Sequence, residues 1–320
     1  MSDRPKIYNT IFAIFVFLLA ACGTDQGAST PVIINPESPT NPSTEPVVTR
    51  DIQYGEGQVI GGSMPLFLDL YEPAEDCSQN RPTTLFVHGG GFTGGNKRSD
   101  NTEELAREMT KRGTNFVSIQ YRLNPDEPLP SAPFVEVMDD LIAAAGGNVS
   151  DDRVDAIAAA FEDTVTALNF LEANQDSLCS DTNRLAYWGS SAGAYTVLQV
   201  AYGLNQFGIQ RPDPMVVIDY WGNLFRDSDL EVGEAPFLIV HGTEDRTVSY
   251  QDAIDLADQA DVVGVRYALY SVIGAGHGYG ATGVNSNRID GQTLLERTGD
   301  FVETHLFGEA PVYGRFNINP

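Results

Sequence analysis

The sequence predicts an α/β domain with a mostly parallel central sheet flanked by helices. Two observations carry this expectation. From about residue 49 onward, short apolar runs alternate with longer amphipathic segments, the pattern of strands joined by helical crossovers. The 320 residues are 42% hydrophobic and 20% charged, which suffices to bury a sizeable core and excludes wholesale disorder.

The elements follow in order. PLFLDLYEP, Pro65 to Pro73, reads as an early strand entering the sheet antiparallel, and TTLFVH, Thr83 to His88, as an apolar strand that runs into glycines. NTEELAREMTKRG, Asn101 to Gly113, predicts a helix, with acids at its start, bases at its end and a glycine stop. NFVSIQY, Asn115 to Tyr121, predicts a strand, and the amphipathic stretch Val154 to Asn174 a long helix. RLAYWG, Arg184 to Gly189, predicts a strand, with a helix following Ser191. Further strands are expected around Val217, around Ile239 and over Val265 to Val272, and a last helix over about Thr293 to His305. No long insertion separates the strands near Val217 and Ile239, so little or no lid domain is expected. Residues 122–152 are the best candidate for a partial cover.

The formal net charge of −25, from 44 acids against 19 bases, gives a surface that repels phosphate backbones and excludes nucleic acid as a partner. At the N-terminus, Arg4 and Lys6 precede the apolar run Ile11 to Ala21, too short for a comfortable membrane span but suited to a signal-peptide core. Residues 22–48 are rich in proline, serine, threonine and asparagine and read as a flexible tether. The expected organisation is a signal peptide over 1–21, the tether over 22–48 and one folded α/β domain over 49–320.

Four short motifs carry chemistry. Gly189-Ser190-Ser191-Ala192-Gly193 is a G-x-S-x-G frame between a predicted strand and a predicted helix, the context a nucleophile elbow demands. Only Ser191 occupies its central position; Ser190 falls in the variable slot, where it could cap the helix. HGGGF, His88 to Phe92, follows a strand, and its glycines let backbone N–H groups approach a substrate oxygen without obstruction. HGTEDRTV, His241 to Val248, puts Asp245 at a strand's carboxyl end, with Glu244 as the alternative acid. GAGHGYG, Gly274 to Gly280, presents His277 as the candidate general base. Of the other three histidines, His88 is expected to orient the glycine loop, His241 to serve its own turn, and His305 to lie at the surface.

With these motifs in order, the chain over about residues 49 to 310 resembles the α/β-hydrolase superfamily, specifically bacterial carboxylesterases and acetyl esterases with an H-G-G-G loop. The resemblance implies a Ser191-His277-Asp245 triad and an oxyanion hole from the amides of Gly90, Gly91 and Ala192. It implies hydrolysis of a small-molecule ester, with no metal and no organic cofactor. It also implies that the strands carrying the glycine loop and the nucleophile are neighbours, which would bring Cys77 and Cys179 together as a disulfide. The chain departs from the pattern in carrying Gly-Ser-Ser-Ala-Gly rather than G-D-S-A-G and in lacking D-P-L-x-D around Asp245. An open site favours short acyl chains, and Tyr220 and Trp221, at a strand end, either line the acyl pocket or pack the core. A peptidase of the same fold and a non-catalytic surface-binding module are the rival readings.

The segment LAAC, Leu19 to Cys22, resembles the lipobox of bacterial lipoproteins. That resemblance implies cleavage before Cys22, a lipid on its sulfur and membrane anchoring of an exported protein. Gly23 in place of aspartate favours the outer membrane or cell surface.

Overall fold

Strands whose two faces are both covered by helices are apolar throughout, and the central strands here are of that kind. In a computed structural model of the chain, which describes residues 45–147, 152–278, 288–289, 291–309 and 311–319, they assemble into a nine-stranded sheet. The predicted signal peptide, Cys22 and nearly all of the predicted tether lie outside the described residues.

The strands are β1 (Val47–Val59), β2 (Gly62–Glu72), β3 (Arg81–Val87), β4 (Asn115–Ile119), β5 (Ser180–Ser190), β6 (Val216–Tyr220), β7 (Phe237–Gly242) and β8 (Tyr267–Val272). A two-residue ladder, β9 (Arg288–Ile289) with β10 (Gln292–Thr293), stands apart, and β11 (Gly314–Ile318) ends the chain. The sheet order is β1-β2-β4-β3-β5-β6-β7-β8-β11. β2 pairs antiparallel with both β1 and β4, and every other pairing is parallel.

Alternate side chains of each strand enter two separate cores. Leu85, Val87, Leu185, Tyr187, Val217 and Ile239 pack on one face under α2 (Ala132–Ala144), α3 (Val154–Ala173), α4 (Ala192–Leu198) and α5 (Tyr250–Val263). Phe86, Trp188, Ile218, Tyr220 and Val240 pack on the other under α1 (Asp100–Lys111) and α6 (Leu294–Phe307). The helix ends follow local chemistry. Ser99 and Thr293 accept the N–H groups of Thr102 and Glu296, Thr293 within a capping box, while Gly264 and Gly308 close α5 and α6 in left-handed conformations.

The topology fixes where a site can form. From β3 the chain goes to β4 on one side, and later to β5 on the other. The carboxyl ends of β3 and β5 therefore border a crevice that no crossover fills, the switch point where open α/β sheets bind ligands. The opposite end of the sheet is closed by covalent chemistry: Cys77 and Cys179, 102 residues apart, form a disulfide with their Cα atoms 6.1 Å apart. β1 also starts at that far end, where Val47 pairs with Glu72.

Several elements differ from the expectation. β1 was not expected: it is an edge strand, mostly exposed, and two irregularities in its register break the alternation that marks a strand. Among the described residues, none of 122–152 lines the cavity at Ser191. They hold α2, which buries Phe134, Val137, Met138 and Leu141 against the α3 side of the sheet. His305 is not a surface residue. It is buried, with Nδ1 donating to the Phe301 carbonyl at 2.6 Å and Nε2 accepting from the Tyr313 hydroxyl at 2.9 Å.

Candidate active site

The turn from β5 into α4 is sharp, and Ser191 sits in it with φ 52° and ψ −120°. An L-residue pays for that left-handed conformation and holds it only where its surroundings insist. Here they do: the Ser191 N–H donates to the Tyr220 carbonyl at 2.8 Å, and the Ser191 carbonyl accepts from Ala194 and Tyr195. Both frame glycines are forced by space. A Cβ on Gly189 would collide with the Gly193 carbonyl, and one on Gly193 with the Val87 carbonyl at the end of β3. Ser191 is itself the first cap of α4, and its hydroxyl makes no capping bond. Its Oγ lies 2.9 Å from His277 Nε2. Ser190 ends β5 opposite Tyr220 and does not occupy the cap.

His277 Nδ1 lies 2.7 Å from Asp245 Oδ2. The other carboxylate oxygen, Oδ1, accepts the backbone N–H groups of Thr247 at 2.8 Å and Val248 at 3.0 Å. The Asp245 side chain is fully buried, while that of His277 is 23% exposed and so stays accessible to a reactant. A carboxylate only accepts. It therefore fixes the proton on Nδ1 and leaves Nε2 as the acceptor facing the serine. Glu244 is exposed; its backbone N–H donates to Ala275, and its side chain makes no described contact with His277.

The remaining histidines near the sheet's carboxyl end are held neutral. Burial pulls His88 down to about 4; its Nδ1 donates to the Gly89 carbonyl, and its ring stacks on Tyr121 with centroids 4.4 Å apart. His88 thus shapes the glycine loop, as does Gly95, where a Cβ would strike its ring. His241 is buried, which lowers its pKa, and its Nε2 donates to the Val248 carbonyl at 3.1 Å, closing the loop that carries Asp245.

Gly89 packs directly on the elbow, its missing Cβ leaving room for the Ser190 carbonyl. Gly90 and Gly91 have φ 128° and 62°, conformations that favour glycine. Gly91 and Ala192 both line the cavity into which Ser191 opens, and Ala192, first residue of α4, has no partner for its N–H within the helix. That cavity measures about 430 Å³. Its apolar walls come from Phe92, Ile157, Tyr195, Leu224, Phe225 and Val248. Tyr220 does not line it: the ring lies on the opposite face of the sheet, with its hydroxyl donating to Thr298 Oγ1 at 2.8 Å, and Trp221 packs against that same second core. The chain reverses at Gly222, where a Cβ would collide with Ala194, so that the next three residues reach the cavity instead. A larger cavity, about 520 Å³, lies between α6 and β11 and contains none of Ser191, His277 or Asp245.

Comparison with known proteins agrees with this architecture. A family model described as BD-FAE matches residues 68–141, and the model of the prolyl oligopeptidase family matches residues 216–306. The chain is 25% identical over 197 residues to 5-methylorsellinic acid synthase of Aspergillus terreus, covering 58% of this chain and 7% of that protein. It is 28% identical over 151 residues to juvenile hormone esterase of Tribolium castaneum, covering 47% and 22%. The chain thus spans less than a quarter of the length of either relative. Among solved structures, Thermogutta terrifontis esterase 2 phosphorylated by paraoxon superimposes with a TM-score of 0.59 at 18% identity, over 83% of this chain and 96% of that one. The fold is that of the α/β-hydrolases.

Proposed function

We propose that this chain is a serine carboxylesterase acting on short-chain esters of small molecules. The observation that carries the reading is the hydrogen-bonded line Ser191 Oγ, His277 Nε2, His277 Nδ1, Asp245 Oδ2, with spacings of 2.9 and 2.7 Å, opening onto the 430 Å³ cavity. In the reaction, His277 Nε2 takes the Ser191 proton as Oγ attacks the ester carbonyl carbon. The amides of Gly90, Gly91 and Ala192 receive the developing oxyanion. Asp245 steadies the imidazolium, which then protonates the departing alcohol. Water, deprotonated by the same nitrogen, releases the acid from the acyl-enzyme and restores Ser191. Sequence similarity to esterases over about half of the chain supports this reading.

A fluorophosphonate probe tests it. Labelling is expected on the wild-type chain and not on Ser191→Ala, and labelling that persists in the variant removes Ser191 from its role. A series of 4-nitrophenyl esters is expected to show acetate and butyrate turned over well above palmitate; equal or greater turnover of palmitate refutes the short-chain assignment.

The match of residues 216–306 to the prolyl oligopeptidase family favours one second reading, a peptidase. Comparable rates on a 4-nitroanilide and its matched 4-nitrophenyl ester would establish it, whereas an esterase strongly prefers the ester. We further propose export as a lipoprotein, with residues 1–21 removed, Cys22 acylated and residues 22–48 serving as tether. Radiolabelled palmitate entering the wild type but not Cys22→Ser is the expected result, and equal labelling of both overturns it.

A further inference from the structure

Behind the nucleophile elbow lies a fully buried carboxyl that the reaction above does not use. Asp219 stands in β6 opposite Gly189 of β5, and its side chain falls on the Val217 face of the sheet, the face that carries α4. Oδ1 accepts the Gly222 N–H at 2.7 Å, and Oδ2 has no hydrogen-bond partner among the described residues. Burying a carboxyl with one oxygen unpaired is costly, which singles out the one bond that it does make.

That bond pins a strained turn. β6 ends at Tyr220, and Trp221, next in the chain, has φ 48°, a left-handed conformation that costs an L-residue. The Trp221 N–H donates to the Val240 carbonyl at 2.9 Å, and the N–H after it is the one held by Asp219. The turn begins with the Tyr220 carbonyl, which accepts the Ser191 N–H at 2.8 Å and so supports Ser191 at its own left-handed φ of 52°. Gly222 is wedged among the same groups: a Cβ there would meet Ala194 Cβ, Asp219 Oδ1 and the Ser191 carbonyl. Two left-handed residues in adjoining loops are thus tied through one carbonyl, and Asp219 holds the far end of the tie.

We infer that Asp219 is a positioning residue: by fixing the Gly222 amide it holds the Trp221 turn, keeps the Tyr220 carbonyl on the Ser191 amide and so sets the Ser191 hydroxyl against His277. This rests on the ester-hydrolase reading above. Without the acceptor the turn relaxes, the Tyr220 carbonyl withdraws and Oγ leaves its 2.9 Å contact with Nε2. A displacement of about 1 Å at the reacting atoms is enough to lower a rate about 100-fold.

The test compares D219A, D219L and D219N with the wild type on 4-nitrophenyl acetate. Rates are counted per active site by fluorophosphonate titration, and thermal unfolding is recorded on the same samples. D219A removes the acceptor, and D219L removes it while filling the space. Both are expected to lower kcat about 10- to 100-fold with KM little changed, and to slow fluorophosphonate labelling in step. D219N keeps an oxygen for the Gly222 N–H and is expected to restore kcat to within about threefold of the wild type. A purely structural role would lower the melting temperature and leave kcat per active site alone, and that result in D219A or D219L overturns the inference. So does a fall of about tenfold or more in D219N, whose side chain is isosteric with the wild type. Either outcome leaves the esterase reading standing. No turnover and no fluorophosphonate labelling of the wild type overturns the reading beneath it.

Discussion

Replacing Asp245 by asparagine isolates the job of one carboxylate without emptying its site. Oδ1 of Asp245 accepts two backbone N–H groups, from Thr247 and Val248. In the variant, the amide oxygen must stay on that side, because an NH₂ group there would face two donors. The amide nitrogen is then turned toward His277 Nδ1, where it can only donate. Nδ1 becomes the acceptor, the imidazole proton moves to Nε2, and Nε2–H points at Ser191 Oγ, 2.9 Å away, unable to take its proton. The charge that steadies the imidazolium is lost as well. Together these should lower kcat about 10³- to 10⁴-fold, on the order of 4–5 kcal/mol of transition-state stabilisation. Stability should hardly change, since both loop bonds survive. The assay is steady-state hydrolysis of 4-nitrophenyl acetate, beside thermal unfolding of the same samples, with Glu244→Gln as the control expected to match the wild type. An Asp245→Asn enzyme that folds normally and keeps more than a tenth of wild-type kcat refutes the assignment, and a collapse of kcat in Glu244→Gln transfers the role.

Three further outcomes follow from the packing and the electrostatics. Gly193→Ala drives a methyl group into the carbonyl at the end of β3, which should cost about 1–3 kcal/mol and displace the glycine loop, read as a lower midpoint of urea unfolding together with lost activity; wild-type values for both would show the elbow to be looser than described. Burial pushes Asp219 up to about 7, with only the Gly222 N–H at 2.7 Å to offset it, so between about pH 4 and about 7 the folded state keeps a proton that the unfolded chain has lost. Stability from this group is therefore full below the ordinary carboxylate pKa and falls as pH rises through about 7, by roughly 1.4 kcal/mol per pH unit. Asp219→Asn should flatten that part of a melting-temperature profile, and an unchanged slope would assign it elsewhere. Replacing Cys77 and Cys179 by serine opens a loop of 102 residues and should cost about 4–5 kcal/mol in the chain-entropy account, measured as a lower melting temperature than the oxidised wild type; equal values would refute it.

The candidate positions Ser191, Asp245 and His277 were legible because each sits in a short glycine-bearing motif; Gly242 before Asp245 is forced by the Ala275 carbonyl, and Gly274 and Gly278 beside His277 take positive φ. Gly189 and Gly193 are demanded by backbone carbonyls, and the same tight approach marks Gly89 against the elbow. The alternation of apolar runs and amphipathic segments likewise gave the parallel part of the sheet, because strands covered on both faces have no polar side to confuse the pattern. What stayed hidden depends on side-chain direction and on distant partners. Tyr220 and Asp219 are neighbours in one strand, and nothing local tells which of them turns toward the nucleophile's side; the reversal at Gly222 decides that the cavity receives Asn223, Leu224 and Phe225. Arg153 reaches the cavity only because α3 begins beside the glycine loop, a juxtaposition with no trace in its own neighbourhood of the sequence. His305 looked like an ordinary last-turn histidine, and its burial comes from Tyr313 folding back over it.

The start of β1, paired with Glu72, lies at the disulfide end of the sheet, opposite the end where the Ser191 hydroxyl opens. Val47 thus marks the base of the domain, while the Ser191 hydroxyl opens at its crown. A bead or dye coupled at the exposed Val47 is therefore expected to stand away from the mouth of the pocket. The same handle placed in the Ile60–Gly61 turn, on the crown side, would crowd incoming molecules.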